Sequence, residues 1–190
     1  MKKEHIINVK PFKSKTDLHN FLKELKNTKH GQRNVLIAKI GLTTGLRISD
    51  ILKLKVSDIK NKTQTTIIEK KTGKKRTIYL DNIIGDIINY LNTLDNTSEW
   101  LFPAPSNKSN HLSEHQYYKI LQKTADLLGF DFIGTHTLRK TFARFFYLET
   151  KDISTLMTIL NHSSQKITLN YIDITEDDIK ASLKTFNPFI

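Results

Sequence analysis

One short β-branched segment interrupts a chain whose apolar residues otherwise recur at the spacing of an α-helix. Residues 63–70 and 76–80 are rich in threonine and isoleucine, and the turn-forming residues 71–74 separate them. This pattern is typical of a basic β-hairpin. Elsewhere, apolar side chains three and four residues apart predict helices that bury one face. The predicted helices span residues 14–25, 33–43, 48–54, 81–94, 113–128, 136–145, 152–160 and 175–186. The expected fold is therefore mainly α with a small antiparallel β-hairpin, an α+β class.

Capping residues place several helix ends. Ser113 followed by Gln116 forms a capping box, and Thr175 can cap the last helix. Gly45 is suited to end the second helix in the left-handed conformation. Asn161 can do the same after residue 160, because asparagine follows glycine in preference at such ends.

The length of the chain limits the number of domains. With 190 residues, of which 38% are hydrophobic, it can bury one substantial core. No internal repeat or linker stands out, so we expect one domain. Residues 1–13 are basic, include Pro11 and are interpreted as an N-terminal arm.

Charge restricts the class of partner. Lysine and arginine outnumber aspartate and glutamate by 30 to 19, which gives a net charge of +11 spread along the chain. A broad cationic surface favours nucleic acid over the rival partner, an anionic membrane surface. No apolar run approaches the ~18–20 residues of a spanning helix, and no signal peptide follows the N-terminus. The chain has no cysteine, which excludes disulfides and thiolate zinc sites. We therefore expect a cytoplasmic protein without a membrane partner.

Three separated segments carry polar residues suited to a phosphodiester. Arg47 follows a glycine turn, and Asp50 lies one helical turn later, close enough to brace its guanidinium. His136 and Arg139 are three residues apart and so share one face of a helix. Tyr171 follows a histidine-containing turn after residue 160. Each feature alone is common, and the prediction of a single site requires the two arginines to face the same side of the molecule.

Together and in this order, these residues resemble the tyrosine recombinase, or phage integrase, family. The matching stretches are Thr44-Gly45-Leu46-Arg47-Ile48-Ser49-Asp50, Lys71-Thr72-Gly73-Lys74, His136-Thr137-Leu138-Arg139, Leu160-Asn161-His162-Ser163-Ser164 and Thr168-Leu169-Asn170-Tyr171. The match covers roughly residues 14 to 171. Asn161 replaces the usual glycine, and Lys140 stands where the family often has histidine. Many members carry an N-terminal DNA-clamping domain, whereas only the arm is expected before the catalytic part here, and in this the chain resembles short, single-domain members such as bacterial invertases.

The resemblance implies a reaction and a set of catalytic residues. These are Arg47, Lys71, His136, Arg139, His162 and Tyr171, with Asp50 supporting. Tyr171 is the implied nucleophile, which forms a 3′-phosphotyrosine and frees a 5′-hydroxyl. The arginines bind the phosphate, and the histidines contact it or exchange the tyrosine proton. Lys71 is the implied general acid. The scheme needs no metal, ATP or other cofactor.

Further cations are interpreted as DNA-binding residues. These are Lys70, Lys74, Lys75, Arg76 and Lys140. Several lysines crowd the hairpin, and the assignment of Lys71 as the acid rests on alignment with the family turn. His111 and His115 are four apart, but no third metal ligand is spaced to join them.

The resemblance also implies partners and an organisation. We expect residues 14–174 to be the catalytic part, acting on double-stranded DNA as a tetramer on paired sites and as a monomer in solution. Residues 175–190 form a helical tail that either packs in cis or is exchanged between protomers. A separate DNA-binding accessory protein is a further expectation, as are nucleoid association and a mobile genetic element as the source. The alternatives are a type IB topoisomerase-like relaxing enzyme and a non-catalytic DNA-binding protein of the same fold.

Overall fold

A computed structural model describes residues 9–95 and 97–186. Residues 1–8, which form most of the predicted arm, lie outside the described part. The chain divides into two compact units, residues 1–142 and residues 143–190, each considered separately below.

The predicted fold class is confirmed, because the structure is mostly helical with one two-stranded sheet. In chain order the elements are α1 (Lys15–Lys26), α2 (Gly31–Thr44), α3 (Ile48–Ile51), α4 (Val56–Ile59), β1 (Gln64–Ile68), β2 (Lys75–Tyr79), a 3-10 turn (Asp81–Ile83), α5 (Ile84–Leu91), α6 (Glu114–Leu128), α7 (Thr137–Thr150), α8 (Ile153–Leu160), α9 (Gln165–Ile172) and α10 (Glu176–Thr185). The helix predicted over residues 48–54 is shorter than expected, because α3 ends at Ile51, and a second short helix that was not predicted, α4, follows at Val56–Ile59. Helix α9 was not predicted.

Helix α2 is the central element of the first unit. Its apolar side chains Leu36, Ile37, Ala38 and Ile40 are buried, and it packs against α1, α3 and α5. This burial explains why few polar residues interrupt the helix. A helix enclosed in this way holds its C-terminal end in a fixed place.

The hairpin is antiparallel, with Thr66 opposite Thr77. Their hydroxyls lie 3.1 Å apart on the exposed face. Thr65 and Ile78 pair on the opposite, buried face. Because side chains alternate along a strand, Glu69 continues the inward-facing series beyond the end of β1 and is only 3% exposed.

The end of the predicted arm packs into the core of the first unit. The ring centroid of Phe12 lies 5.2 Å from that of Phe21, 5.6 Å from that of Phe130 and 5.4 Å from that of Phe132. Its backbone N–H donates to Thr141 Oγ1 at 2.9 Å. Phe12 is therefore an anchor of the core, whereas the sequence had placed it in the arm.

In the second unit, Arg144 joins the ends of two helices. It is 3% exposed and its Nη1 donates to the carbonyls of Ile172 at 3.2 Å and Asp173 at 2.7 Å. Its Nη2 reaches both carboxylate oxygens of Asp178 at 2.7 Å. Asp178 also completes the capping box with Thr175. The guanidinium thus ties the end of α9 to the first turn of α10.

Candidate active site

The turn after α2 fixes the position of Arg47. Gly45 takes the predicted left-handed conformation, with φ of 63°. The Thr44 hydroxyl donates to the carbonyl of Ile40 at 2.6 Å and accepts from the N–H of Leu46 at 3.2 Å. Arg47 follows as the N-cap of α3. Its side chain is 15% exposed. The turn therefore holds the guanidinium of Arg47 just below the surface.

Arg139 is anchored on the same turn. Its Nη1 donates to the carbonyl of Gly45 at 2.6 Å, and the residue is 3% exposed. Gly45 lies two residues before Arg47 in the sequence. This contact therefore places the Arg139 guanidinium at the turn that carries Arg47, within the first unit.

Glu69 lies among the arginines. Its Oε2 accepts from Arg47 Nη1 at 3.1 Å, and its Oε1 accepts from Arg76 Nη1 at 3.3 Å. Burial acts to raise the pKa of Glu69, but the hydrogen bond from Thr72 and the charges of Arg47, Arg76 and Arg139 outweigh it and lower the pKa. One carboxylate thus faces three guanidinium groups, which leaves a net positive charge suited to a further anion.

Two residues differ from their predicted positions. Asp50 was expected to brace Arg47, but its Oδ1 accepts from the backbone N–H of Lys70 at 2.9 Å, and Glu69 holds the arginine instead. Asp50 Oδ2 is buried without a hydrogen-bond partner among the described residues. Arg76 was interpreted as a DNA-binding residue, but its guanidinium points inward to Glu69 and the carbonyl of Thr44. Sequence proximity did not reveal these contacts, because Lys70 lies 20 residues from Asp50 and Thr44 lies 32 residues from Arg76.

The remaining hairpin cations are at the surface. Lys71, Lys74 and Lys75 are exposed, and Lys70 Nζ lies 3.9 Å from Glu114 Oε1. Lys140 Nζ donates to the carbonyl of Val9 at 2.7 Å. The hairpin therefore presents several lysines to solvent, as predicted, whereas Lys140 also fastens the N-terminal segment.

His136 immediately precedes α7, since its carbonyl accepts from the N–H of Lys140 at 2.9 Å. The residue is accessible at the surface. The atoms packed around its ring lower the pKa of His136, and Arg139, Arg47, Lys140 and Lys71 lower it further through their charges. These charges place the imidazole among the cations of the first unit and favour its neutral form.

Acidification should therefore destabilise the protein partly through His136. Its folded pKa lies below the unfolded value of ~6.5, so the unfolded state binds the proton more readily. The free energy of unfolding starts to fall through this group when the pH drops below ~6.5. It continues to fall until the pH is below the pKa of His136 in the folded protein. Between about pH 7 and about pH 5, the free energy of unfolding in urea should fall further for the wild type than for His136→Gln. Equal losses in the two proteins would contradict the assignment.

The second unit brings His162 and Tyr171 together. Asn161 ends α8 with φ of 53°, as predicted, and the N–H of His162 donates to the carbonyl of Met157 at 3.0 Å. His162 Nδ1 lies 3.0 Å from the hydroxyl oxygen of Thr168. The rings of His162 and Tyr171 meet edge to face with centroids 5.2 Å apart. A left-handed asparagine and the capped helix α9 thus place an imidazole beside a phenol.

Glu69 and Thr72 are functional candidates that the sequence interpretation missed. A signal was present, because residues 65, 67 and 69 occupy alternate, inward-facing positions of a strand. A carboxylate at the last of these positions needs a buried cation as its partner.

Replacing Gly45 by alanine should loosen this site by destabilising its turn. A Cβ at this position would contact the ring of Phe142, and the left-handed backbone alone costs a non-glycine residue about 1–3 kcal/mol. Urea unfolding followed by Trp100 fluorescence measures the loss. Gly85→Ala is the matched control, because Gly85 lies in α5 with no atom within 4 Å of its added Cβ. That change should stabilise by about 0.5–1 kcal/mol. Equal stability of the Gly45 variant and the wild type would refute the role of the turn.

Metal-binding clusters and membrane-spanning helices are both absent from the described residues. Within residues 9–95 and 97–186, no cluster of three or more His, Cys, Asp or Glu side chains could hold a metal ion. Over the same described residues, no helix is both long and apolar enough to cross a membrane.

Comparisons with known proteins agree with the geometry. A sequence profile of the phage integrase family matches residues 12–177. A probable integrase/recombinase of Bacillus subtilis, YoeC, is 40% identical over 179 residues, covering 94% of this chain and 97% of YoeC. The crystal structure of XerA recombinase superposes with a TM-score of 0.78 at 17% identity, covering 99% of this chain and 68% of XerA. The site-specific recombinase XerH, in a post-cleavage complex with a palindromic difH substrate, superposes with a TM-score of 0.70 at 22% identity, covering 94% of this chain and 54% of XerH.

Proposed function

Because this chain belongs to the phage integrase family and is a site-specific tyrosine recombinase, we propose that Tyr171 cuts DNA and holds it covalently. The observation that carries this proposal is that Arg139, on α7, binds the turn that carries Arg47, with its Nη1 2.6 Å from the carbonyl oxygen of Gly45. Two guanidinium groups fixed together can bind the non-bridging oxygens of one phosphate.

In the proposed reaction, the phenol oxygen of Tyr171 attacks the scissile phosphorus. The bond from phosphorus to the tyrosine oxygen forms while the bond to the 5′ oxygen breaks. The phenol proton goes to a base, and the 5′ oxygen receives a proton from an acid. The phosphodiester energy is kept in the 3′-phosphotyrosine, so the reverse attack by a 5′-hydroxyl rejoins a strand without ATP.

The arginines supply the electrostatic part of catalysis. Negative charge grows on the non-bridging oxygens in the transition state, and donors already in place stabilise it without further rearrangement. Arg139 is held by the Gly45 carbonyl and Arg47 by Glu69. Each contact uses one of the five N–H donors of a guanidinium.

Two residues are assigned to the proton transfers, and a third to the phosphate. The lowered pKa of His136 keeps its imidazole neutral near neutral pH, which supports the role of proton acceptor. His162 Nδ1 is held by Thr168, so we assign Nε2 to a phosphate oxygen. Lys71, exposed at the hairpin turn, is assigned as the acid that protonates the 5′ oxygen.

We propose double-stranded DNA as the partner, with Lys70, Lys74 and Lys75 contacting its backbone. Support comes from the net charge of +11 and from XerH, a recombinase and structural neighbour solved with its difH substrate. We further propose that the protein is a monomer in solution and that four protomers assemble on two paired sites. The proposal also includes an accessory DNA-binding protein. So do association with DNA in the cytoplasm and carriage on a mobile element.

The proposed domain organisation assigns residues 14–174 to catalysis and residues 175–190 to assembly. The apolar side chains of Ile179, Leu183 and Phe186 are 46%, 64% and 68% exposed. Exposed apolar residues on one helix are suited to docking on a neighbouring protomer. We therefore favour exchange of this segment between protomers on DNA.

Covalent capture tests the proposed activity. The protein is mixed with fragmented double-stranded DNA, denatured, and separated from non-covalently bound DNA. Sequencing of the attached fragments should give one recurrent site, and peptide mapping should place the DNA on Tyr171. Site-independent attachment with relaxation of supercoiled plasmid would indicate a topoisomerase instead. Absence of any covalent product would indicate a non-catalytic protein. The relatives described above are integrases and recombinases and favour neither alternative.

A further inference from the structure

Glu69 closes the hairpin turn that carries the candidate acid. Its backbone N–H donates to the carbonyl of Lys74 at 3.0 Å, and its carbonyl accepts from the N–H of Gly73 at 2.8 Å. Lys71 therefore lies in a short loop whose two ends are both bonded to Glu69. The same residue thus ends the strand pairing and begins the loop.

The Glu69 carboxylate makes a second connection from within the core. Oε2 accepts from the Thr72 hydroxyl at 3.1 Å and from Arg47 Nη1 at 3.1 Å. One oxygen atom therefore joins the loop residue next to Lys71 to the arginine of the turn after α2. Since Glu69 is 3% exposed and also bonded to Arg76, this oxygen has little room to move.

A lysine at an exposed loop needs such a support to act as an acid. A free lysine side chain has up to ~2 kcal/mol of rotamer entropy to lose on ordering, and the loop around it adds backbone freedom. The Thr72 hydroxyl is the side-chain link from this loop to the buried carboxylate. Because Thr72 and Arg47 bond to the same oxygen of Glu69, the position of the loop is tied to the position of Arg47.

We propose that Glu69 is a positioning residue for proton transfer, which places Lys71 relative to the arginine pair through the hydroxyl of Thr72. This inference rests on the proposed function and extends it to residues that touch no reacting atom. When the bond from phosphorus to the 5′ oxygen breaks, the electron pair stays on that oxygen and Lys71 Nζ gives it a proton. Misplacement of the loop should slow this step and no other.

The closing experiment separates proton transfer from phosphate binding by changing the leaving atom. When sulfur replaces the bridging 5′ oxygen of the DNA, the leaving group is a 5′ thiolate. A thiolate leaves without being protonated, because a thiol has a pKa of only ~8.5. Single-turnover cleavage is measured with nicked DNA of the captured site, in oxygen and sulfur forms. Thr72→Val should slow cleavage of oxygen DNA by about tenfold, which is less than the ~10²–10⁴-fold loss expected when a general acid is removed altogether. On sulfur DNA, its rate should lie within about twofold of the wild type, because the protonation that it impairs is bypassed.

Three variants complete the test. Thr72→Ser keeps the hydroxyl and should restore most of the rate on oxygen DNA. Thr77→Val makes the same chemical change on the exposed face of the hairpin, where the Thr77 hydroxyl contacts that of Thr66, and should cleave both substrates like the wild type. Glu69→Gln should lose more on oxygen DNA than Thr72→Val and regain part of its rate on sulfur DNA. The urea unfolding midpoint of each variant shows that it is folded.

The outcomes distinguish this inference from the proposed function. An unchanged rate of Thr72→Val, or an equal loss on oxygen and sulfur DNA, overturns the positioning role while the wild type still forms its adduct. Tighter DNA binding and faster cleavage by Glu69→Gln also overturn it, because the carboxylate would then compete with the phosphate. If Lys71→Ala is slowed equally on both substrates, the assignment of the acid is wrong. If the wild type forms no adduct with either substrate, the proposed function itself fails.

Discussion

Tyr171→Phe is expected to abolish covalent attachment to DNA and to leave DNA binding intact. The change removes one oxygen atom, the proposed nucleophile, and keeps the ring that meets His162 with centroids 5.2 Å apart. Because the proposed attacking atom itself is removed, the cleavage rate should fall by at least ~10⁴-fold. The salt dependence of binding should be unchanged, because the charged residues are untouched.

The measurement is the yield of denaturant-resistant protein–DNA product on the captured site, with fluorescence anisotropy reporting binding. Tyr147→Phe is the matched control, because Tyr147 lies on α7 in the same unit and its ring contacts the ammonium group of Lys151. This control should form the product like the wild type. Persistence of a covalent product in Tyr171→Phe would assign the nucleophile to another residue.

Arg47→Ala is expected to slow DNA cleavage by ~10²–10³-fold, the usual loss when one preorganised donor to a developing anion is removed. Arg47→Lys keeps the charge but loses the planar pair of donors, so it should remain at least ~10-fold below the wild type. Binding to DNA should weaken much less than cleavage, because one cation of many is lost. Removal of Arg47 also leaves Glu69 with one ion-pair partner fewer.

Single-turnover cleavage at saturating protein separates these effects from binding. Lys53→Ala controls for the loss of one positive charge, because Lys53 is exposed and lies shortly after α3. Its cleavage rate should equal that of the wild type. A comparable loss in Lys53→Ala, or a loss in Arg47→Ala that saturating protein removes, would mean that Arg47 only attracts DNA.

The features that the sequence predicted well depend on local information. The spacing of apolar residues specified the helices and the hairpin, because a helix or strand repeats its pattern within a few residues. The left-handed ends at Gly45 and Asn161 followed from the conformational preferences of those residues. The order of the polar segments indicated the family.

The features that the sequence did not predict depend on distant partners. Asp50 and Glu69 are both acidic and near Arg47 in the fold, and sequence proximity favoured the wrong one. Glu69 meets Arg47 across 22 positions, a pairing that depends on how the hairpin packs against the turn after α2 and against α3. Phe12 entered the core for the same reason, because its partners Phe130 and Phe132 lie more than a hundred residues away. Helix α9 was missed because two of its apolar residues, Ile167 and Leu169, are exposed and do not continue a single buried face.

The guanidinium of Arg144 makes the second unit sensitive to truncation or displacement of α10. It is almost completely enclosed, and Asp178 is its carboxylate partner. Losing one member of a buried ion pair costs ~3–5 kcal/mol, so a chain shortened before Asp178 should be less stable throughout this unit. The same group holds the carbonyls of Ile172 and Asp173, directly after Tyr171. A partner that pulls α10 away must therefore also release the end of the helix that presents the phenol.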